Sequence, residues 1–233
     1  MKYNSRAIAL TYIKHSESSI IAKLYTEEHG LQTFIVKGVR SNKSKKKLGL
    51  FQPLQLSQIN ASLIIKNEIQ YLNEISLAKN KLAEKTRIKN HFISLFIAEV
   101  LSKSLYKNEQ DKALFNYIWD IKLLLSGKNK INANYPLLFL LQLSNFFGFY
   151  PSKDNLEFPY FDLEKGVFTM RKGTYTLNIE DSNYLKALLT ETDCIIPYEN
   201  RNKMLKSFIK YYKLHHHELK NITSHLIIES LRK

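Results

Sequence analysis

SIIAKLYTEEHGLQTFIVKG (Ser19–Gly38) is two β-rich runs joined by four residues, and it sets the reading of the first third of the chain. Ile20, Ile21, Leu24, Tyr25, Phe34, Ile35 and Val36 are residues that fit a pleated, half-buried surface. EEHG between the runs is short enough for a tight connection, with Gly30 suited to a positive φ. Working outward, RAIALTYIK (Arg6–Lys14) precedes this pair, while LQLSQINASLII (Leu54–Ile65) and IQYLNEISLA (Ile69–Ala78) follow it. Five short strands without long intervening helices predict a small antiparallel barrel, which also removes the exposed strand edges.

Beyond Ala78 the apolar period changes from two towards 3.6. Ile88, Phe92, Leu95, Phe96, Glu99 and Val100 predict a helix within Lys85–Tyr106. Leu114, Ile118, Ile121, Leu124 and Leu125 predict a second within Asn108–Gly127, with Trp119 as core packing and Gly127 as a stop. Tyr135–Tyr150 reads as a buried helix ending at Gly148; Gln142, Ser144 and Asn145 interrupt it too early for a membrane span. Tyr150–Thr176 breaks the pattern with prolines, glycines and alternating aromatics, and predicts a hairpin-bearing insertion. Helices then resume near Asp181 or Ser182, and from Asn200 to the end. The fold class expected is α+β: residues 1–78 a five-stranded OB-fold barrel, residues 79–233 a helical domain with a small insertion at about 150–176.

Composition is globular, 44% hydrophobic and 24% charged, but the net charge of +14 favours a polyanionic partner. Compositional drift towards lysine predicts scattered charges, whereas KGVRSNKSKKKLGLFQP (Lys37–Pro53) gathers Lys37, Arg40, Lys43, Lys45, Lys46 and Lys47 with no acidic residue. Such side chains repel one another and are either solvated or facing an anion. Gly38 and Gly49 bracket the run, and Tyr25 and Phe34 lie on the strands leading to it. OB barrels bind single strands by joining a basic groove to aromatic stacking platforms. These six cations with Tyr25 and Phe34 are therefore the expected DNA-binding set. Six phosphate contacts imply a salt slope of about −4 and no reading of sequence.

Other chemistry lacks its parts. The chain has no G-x-x-x-x-G-K-[ST] loop and no G-x-S-x-G elbow. Cys194 in DCIIP reads as a small buried hydrophobe, and one cysteine makes no disulfide. Asp154, Glu157, Asp162 and Glu164 are a local carboxylate group that a metal nuclease could use, but beside Lys153 and Lys165 they read as solvated. Three consecutive histidines, His215–His217, point different ways around a helix and read as surface residues rather than ligands, and His225 does not rescue a site. No catalytic residue and no cofactor is expected. With no signal segment, the expected location is cytoplasmic, associated with the nucleoid, with no membrane partner.

TEEHGLQTFIVKGVRSNKSKKKLGLFQPLQL resembles the N-terminal signature of the bacterial recombination mediator RecO family. In that family a T-x-E-x-G strand end, a K-G-x-R strand end and a basic linker lead into L-x-P-x-x-L. Thr26, Glu28, Gly30, Lys37, Gly38, Arg40, Ser44, Leu50, Pro53 and Leu56 fit it. AIAL with Glu17–Ser18 fits the first strands; Phe161, Asp162 and Gly166 and a terminal histidine-bearing helix pair are collinear further on. The resemblance implies an OB-fold domain joined to a helical one. It further implies binding of single- and double-stranded DNA, strand annealing, and help for RecA in displacing single-stranded-DNA-binding protein (SSB). Its implied partners are RecR and the C-terminal tail of SSB. Some members carry a four-cysteine zinc module; here Tyr150–Thr176 has no cysteine, and Phe158, Pro159, Tyr160 and Phe161 are expected to pack in its place. An RNA-binding OB-fold protein and an adaptor recruited by SSB are the alternatives.

Overall fold

The computed structural model describes residues 1–40, 42–78, 88–127, 130–190, 195–216 and 222–230; the side chains of residues 42–46 and 228–230 are not among those described. The chain divides into two compact units, Met1–Lys130 and Ile131–Lys233. The boundary expected near residue 78 adjoins residues 79–87, which lie outside the described residues, as do Cys194 and His217.

In the first unit, strands β1 (Lys2–Lys14), β2 (Ile20–Thr26), β3 (Gly30–Val36), β4 (Leu56–Ser62) and β5 (Gln70–Leu77) close into a barrel of order β1-β2-β3-β5-β4. Antiparallel ladders join all neighbours except β3 and β5, which pair in parallel through Phe34–Gln70 and Ile35–Tyr71. This is the five-stranded Greek-key arrangement of the OB fold. Ala7 and Ala9, Ile20, Ala22 and Leu24, Phe34 and Val36, and Ile59 and Ala61 fill the inside at period two.

Ile8, Leu10 and Tyr25 have the opposite parity yet are equally buried. Helix α1 (Ile88–Ser104) lies against β1, and Phe115 of helix α2 (Lys112–Ser126) meets the Tyr25 ring at 5.7 Å, so these strands are covered on both faces. Residues of the α1 seam are Ile93, Phe96, Ile97, Val100 and Leu101; Ile88, expected on it, is exposed. Asp111 caps α2 by accepting from Leu114 N at 2.9 Å, and Trp119 is buried as expected.

The turn Thr26–Gly30 explains its own sequence. Thr26 Oγ1 accepts from His29 N at 3.2 Å and donates to the Gly30 carbonyl at 2.9 Å. Gly30 has φ +61°, and a Cβ there would lie 1.9 Å from the Glu109 carbonyl oxygen. Nearby, Arg6 forks onto Glu27 at 2.8 and 2.7 Å, reaches Asn116 at 2.8 Å, and lies over the Phe115 and Trp119 rings at 5.2 and 4.9 Å. The hydrogen bond from Arg6 holds the Glu27 carboxyl below its ordinary range against the opposing effect of burial.

The second unit holds helices α3 (Tyr135–Phe146), α4 (Ile179–Leu189), α5 (Tyr198–His215) and α6 (Ser224–Ser230), with the hairpin β6 (Tyr160–Asp162) and β7 (Val167–Thr169). The predicted insertion is this hairpin. Phe161 meets Phe168 at 5.1 Å and Tyr211 of α5 at 5.9 Å, an apolar seam of rings. The α4 cap is Asn178, which accepts from Asp181 N at 2.7 Å; Asp181, expected near the cap, stands three residues inside. The chain leaves helix at His216, and α5 and α6 are the terminal pair.

Candidate nucleic-acid interface

Lys37 to Phe51 connects β3 to β4 across the end of the barrel. Gly38 turns the chain with φ +72°, and Asn42–Phe51 then winds into a 3-10 helix. Two apolar anchors explain this: Val39 and Phe51 are buried in the barrel core, fixing both ends of the lysine run. At Leu54 the return carries φ +57°, held by Leu54 N donating to Ala9 O at 2.7 Å and Ala9 N to Gln55 O at 3.0 Å. At about 2.0 Å per residue, the ten-residue helix spans about 20 Å.

Beside this helix, residues of β1, β3, β4 and β5 line an open groove of about 720 Å³ that reaches the edge of the barrel core. Its basic wall has Lys37 and Lys47, both exposed; Val36, Phe51 and Ile59 form its apolar base. Across the floor runs an amide ladder: Asn73 Nδ2 donates to Asn60 Oδ1 at 2.9 Å, and Asn60 Nδ2 to Asn4 Oδ1 at 2.8 Å. Lys37 Nζ stands 5.8 Å from the centre of the Tyr71 ring, which is 48% exposed. Glu74 also lines the groove, so the surface is not purely cationic.

The structure separates the expected site residues. Lys37 and Lys47 share the groove. Arg40 is half-buried, its guanidinium donating to Ser16 O and its backbone N to Ser18 O at 3.1 Å, so it ties the basic segment to the β1–β2 turn. The side chains of Lys43, Lys45 and Lys46 lie outside the described ones. Among the described residues, none of the ion pairs with Asp or Glu involves Lys37, Arg40 or Lys47.

Tyr25 and Phe34 require a correction: neither is a stacking platform. Their exposures are 1% and 0%. Phe34 points into the barrel, while Tyr25 is sealed under Phe115 with its hydroxyl donating to Asp111 O at 3.2 Å. Burial, then the neighbouring carboxylates Asp111 and Glu109, push the Tyr25 phenol well above its ordinary value. The exposed ring is Tyr71, which sequence reasoning missed. Its outward face follows from the burial of its neighbour Gln70, which only the structure reveals.

Of the four candidate carboxylates, Asp154, Glu157 and Glu164 are exposed, as expected, and Asp162 is half-buried. Asp162 Oδ1 accepts from Glu164 N and Lys165 N inside the hairpin turn, and Asp154 pairs with Ser152. Among the described residues, no three His, Cys, Asp or Glu side chains gather as a metal site. Of the histidines expected at the surface, His216 is buried against Phe147, and His215 stacks on Phe149 at 5.4 Å. Among the described residues, no helix is long and apolar enough to cross a membrane.

Comparison with known proteins agrees with the barrel and its basic connection. The family model described as "Recombination protein O N terminal" matches residues 1–80. The DNA repair protein RecO of Christiangramia forsetii is 31% identical over 92% of each chain. Those of Flavobacterium psychrophilum and Azobacteroides pseudotrichonymphae are each 29% identical, over 92% and 99% of each chain. With the OB barrel, the T-x-E-x-G turn and similarity along nearly the full chain, this protein belongs to the RecO family of DNA repair proteins.

Proposed function

We propose that the chain is a sequence-independent DNA-binding recombination mediator, with the barrel groove as its primary DNA surface. The observation that carries this reading is the exposed Tyr71 ring beside Lys37 in a groove that Lys47 of the 3-10 helix also lines. Single-strand binders combine these two parts: cations follow the phosphates, and a π-face accepts any base. Lys37 and Lys47, with Arg40, Lys43, Lys45 and Lys46 of the same segment, act on the backbone. Tyr71 takes the stacking role, and the Asn4–Asn60–Asn73 floor offers amides to sugars and bases.

Annealing then needs no bond-breaking group. Cations that hold two polyanions together lower their mutual repulsion and raise their effective concentration. In this reading the protein binds single- and double-stranded DNA and anneals complementary strands. It also helps RecA load onto SSB-coated strands, with RecR and the C-terminal tail of SSB as partners. The test is annealing of SSB-coated complementary strands, with intact SSB and with SSB lacking its tail. Acceleration that depends on the tail is expected; no acceleration with either overturns the mediator reading.

A further inference from the structure

The second unit carries 13 Lys and Arg against 11 Asp and Glu, so its charge is nearly balanced. The balance does not extend to α5. Lys203, Lys206, Lys210 and Lys213 are all exposed, while Met204, Leu205, Phe208, Ile209, Tyr211 and Tyr212 are buried. Spacings of three, four and three residues at 100° each keep the four lysines within an arc of about 80°. From Asn200 to His215 the helix has no acidic residue.

A helix kept soluble by charge mixes both signs along its face. Here three successive like-charged pairs each oppose the helix by about 0.2–0.5 kcal/mol, a cost that an anion laid along the stripe would reverse. The geometry suits an extended polyanion. Lys203 to Lys213 spans about 15 Å, which matches about four phosphates of a stacked strand at 3.4 Å each. Lys210 Nζ also stands 4.7 Å from the Tyr175 ring centre, and the same loop presents Arg171 and Lys172 to solvent. At one end Lys203 acts on the largely buried Asp181.

We infer that the α5 stripe is a second DNA-backbone site, holding one strand while the barrel groove holds another. This rests on the DNA-binding reading above. One strand on each unit gives an annealing protein its two substrates at once.

The experiment uses the full chain and its Lys203→Gln/Lys206→Gln/Lys210→Gln/Lys213→Gln variant, which alters only exposed positions. Thermal melting first establishes that the variant is folded. Energy transfer between donor- and acceptor-labelled non-complementary single strands reads simultaneous binding, and anisotropy reads binding of one strand. The variant should hold one strand within about threefold of wild type at 50 mM salt, yet lose transfer at least about tenfold. Conversely, a variant with Lys37, Arg40, Lys43, Lys45, Lys46 and Lys47 changed to Gln and Tyr71 to Ala should retain only weaker binding, with a salt slope of about −3 from the four α5 lysines. Bridging by the stripe variant equal to wild type overturns the second site and leaves the groove untouched. Wild-type protein that binds no strand overturns the DNA reading itself.

Discussion

Replacing Gly30 by alanine tests why the β2–β3 turn has its sequence. The substitution acts twice. At φ +61° a Cβ costs about 1–2 kcal/mol. That Cβ also lies 1.9 Å from the Glu109 carbonyl oxygen and 2.6 Å from its carbon, backbone atoms that must move. Overpacking of this kind costs about 1–3 kcal/mol. Moving Glu109 disturbs neighbours that join this connection to the barrel: Asn108 N to Leu31 O at 3.3 Å, Gln32 to Asn108 at 2.8 Å, and Gln110 to Glu27 O at 3.0 Å. The expected loss is about 2–5 kcal/mol, or roughly 6–15 °C in Tm at about 3 °C per kcal/mol. Gly38→Ala is the matched control, since Gly38 has φ +72° but nothing within 4 Å of an added Cβ; it should lose only about 3–6 °C. Calorimetry of both variants decides. Equal Tm losses would refute the close approach as the reason for glycine at position 30.

Further expectations follow from other parts of the structure. Glu27→Gln breaks a forked ion pair and should destabilise by about 1–3 kcal/mol at pH 7. Because the folded-state pKa of Glu27 is depressed, the pair's contribution is complete above the ordinary carboxylate pKa and lost as pH falls through the folded value. The two Tm curves should therefore converge in acid, and a constant gap down to pH 2 would contradict the ion pair. Tyr71→Ala should weaken single-strand binding by about 5- to 150-fold, the worth of one stacked base; unchanged affinity in anisotropy titrations would contradict a stacking role for Tyr71. Phe161→Ala should cost about 3–5 kcal/mol in chemical denaturation, and EDTA should leave the wild-type Tm unchanged, if rings rather than zinc hold the hairpin; one equivalent of zinc by elemental analysis would contradict this.

Much of the barrel was legible because β-branched and aromatic runs bounded by turns carry their own signal. All five strands overlap the expected segments; β1 starts at Lys2, four residues before the expected Arg6, and β3 starts one residue early at Gly30. What the period could not reveal was which strands receive a second cover. Tyr25 and Phe34 look alike as aromatics on adjacent strands, yet one is buried by the barrel interior and the other by α2, a helix 86 residues later at its Asp111 cap. The lysine run has no apolar period to announce a helix; its 3-10 winding is imposed by Val39 and Phe51 at its ends. Tyr71 was hidden for a related reason: its meeting with Lys37 depends on the parallel β3–β5 pairing, a long-range register. The α5 stripe, by contrast, needs only helical spacing and was readable once His216 marked where the helix stops.

The most direct test is single-strand affinity measured by anisotropy between 50 and 200 mM salt, for wild type and for Lys37, Arg40, Lys43, Lys45, Lys46 and Lys47 changed together to Ala. The account predicts a wild-type slope of about −4, a loss of roughly 10²–10³-fold across that range, and disappearance of this tight mode in the variant. A variant matching wild type in both affinity and slope would contradict the barrel groove as the place where DNA is held.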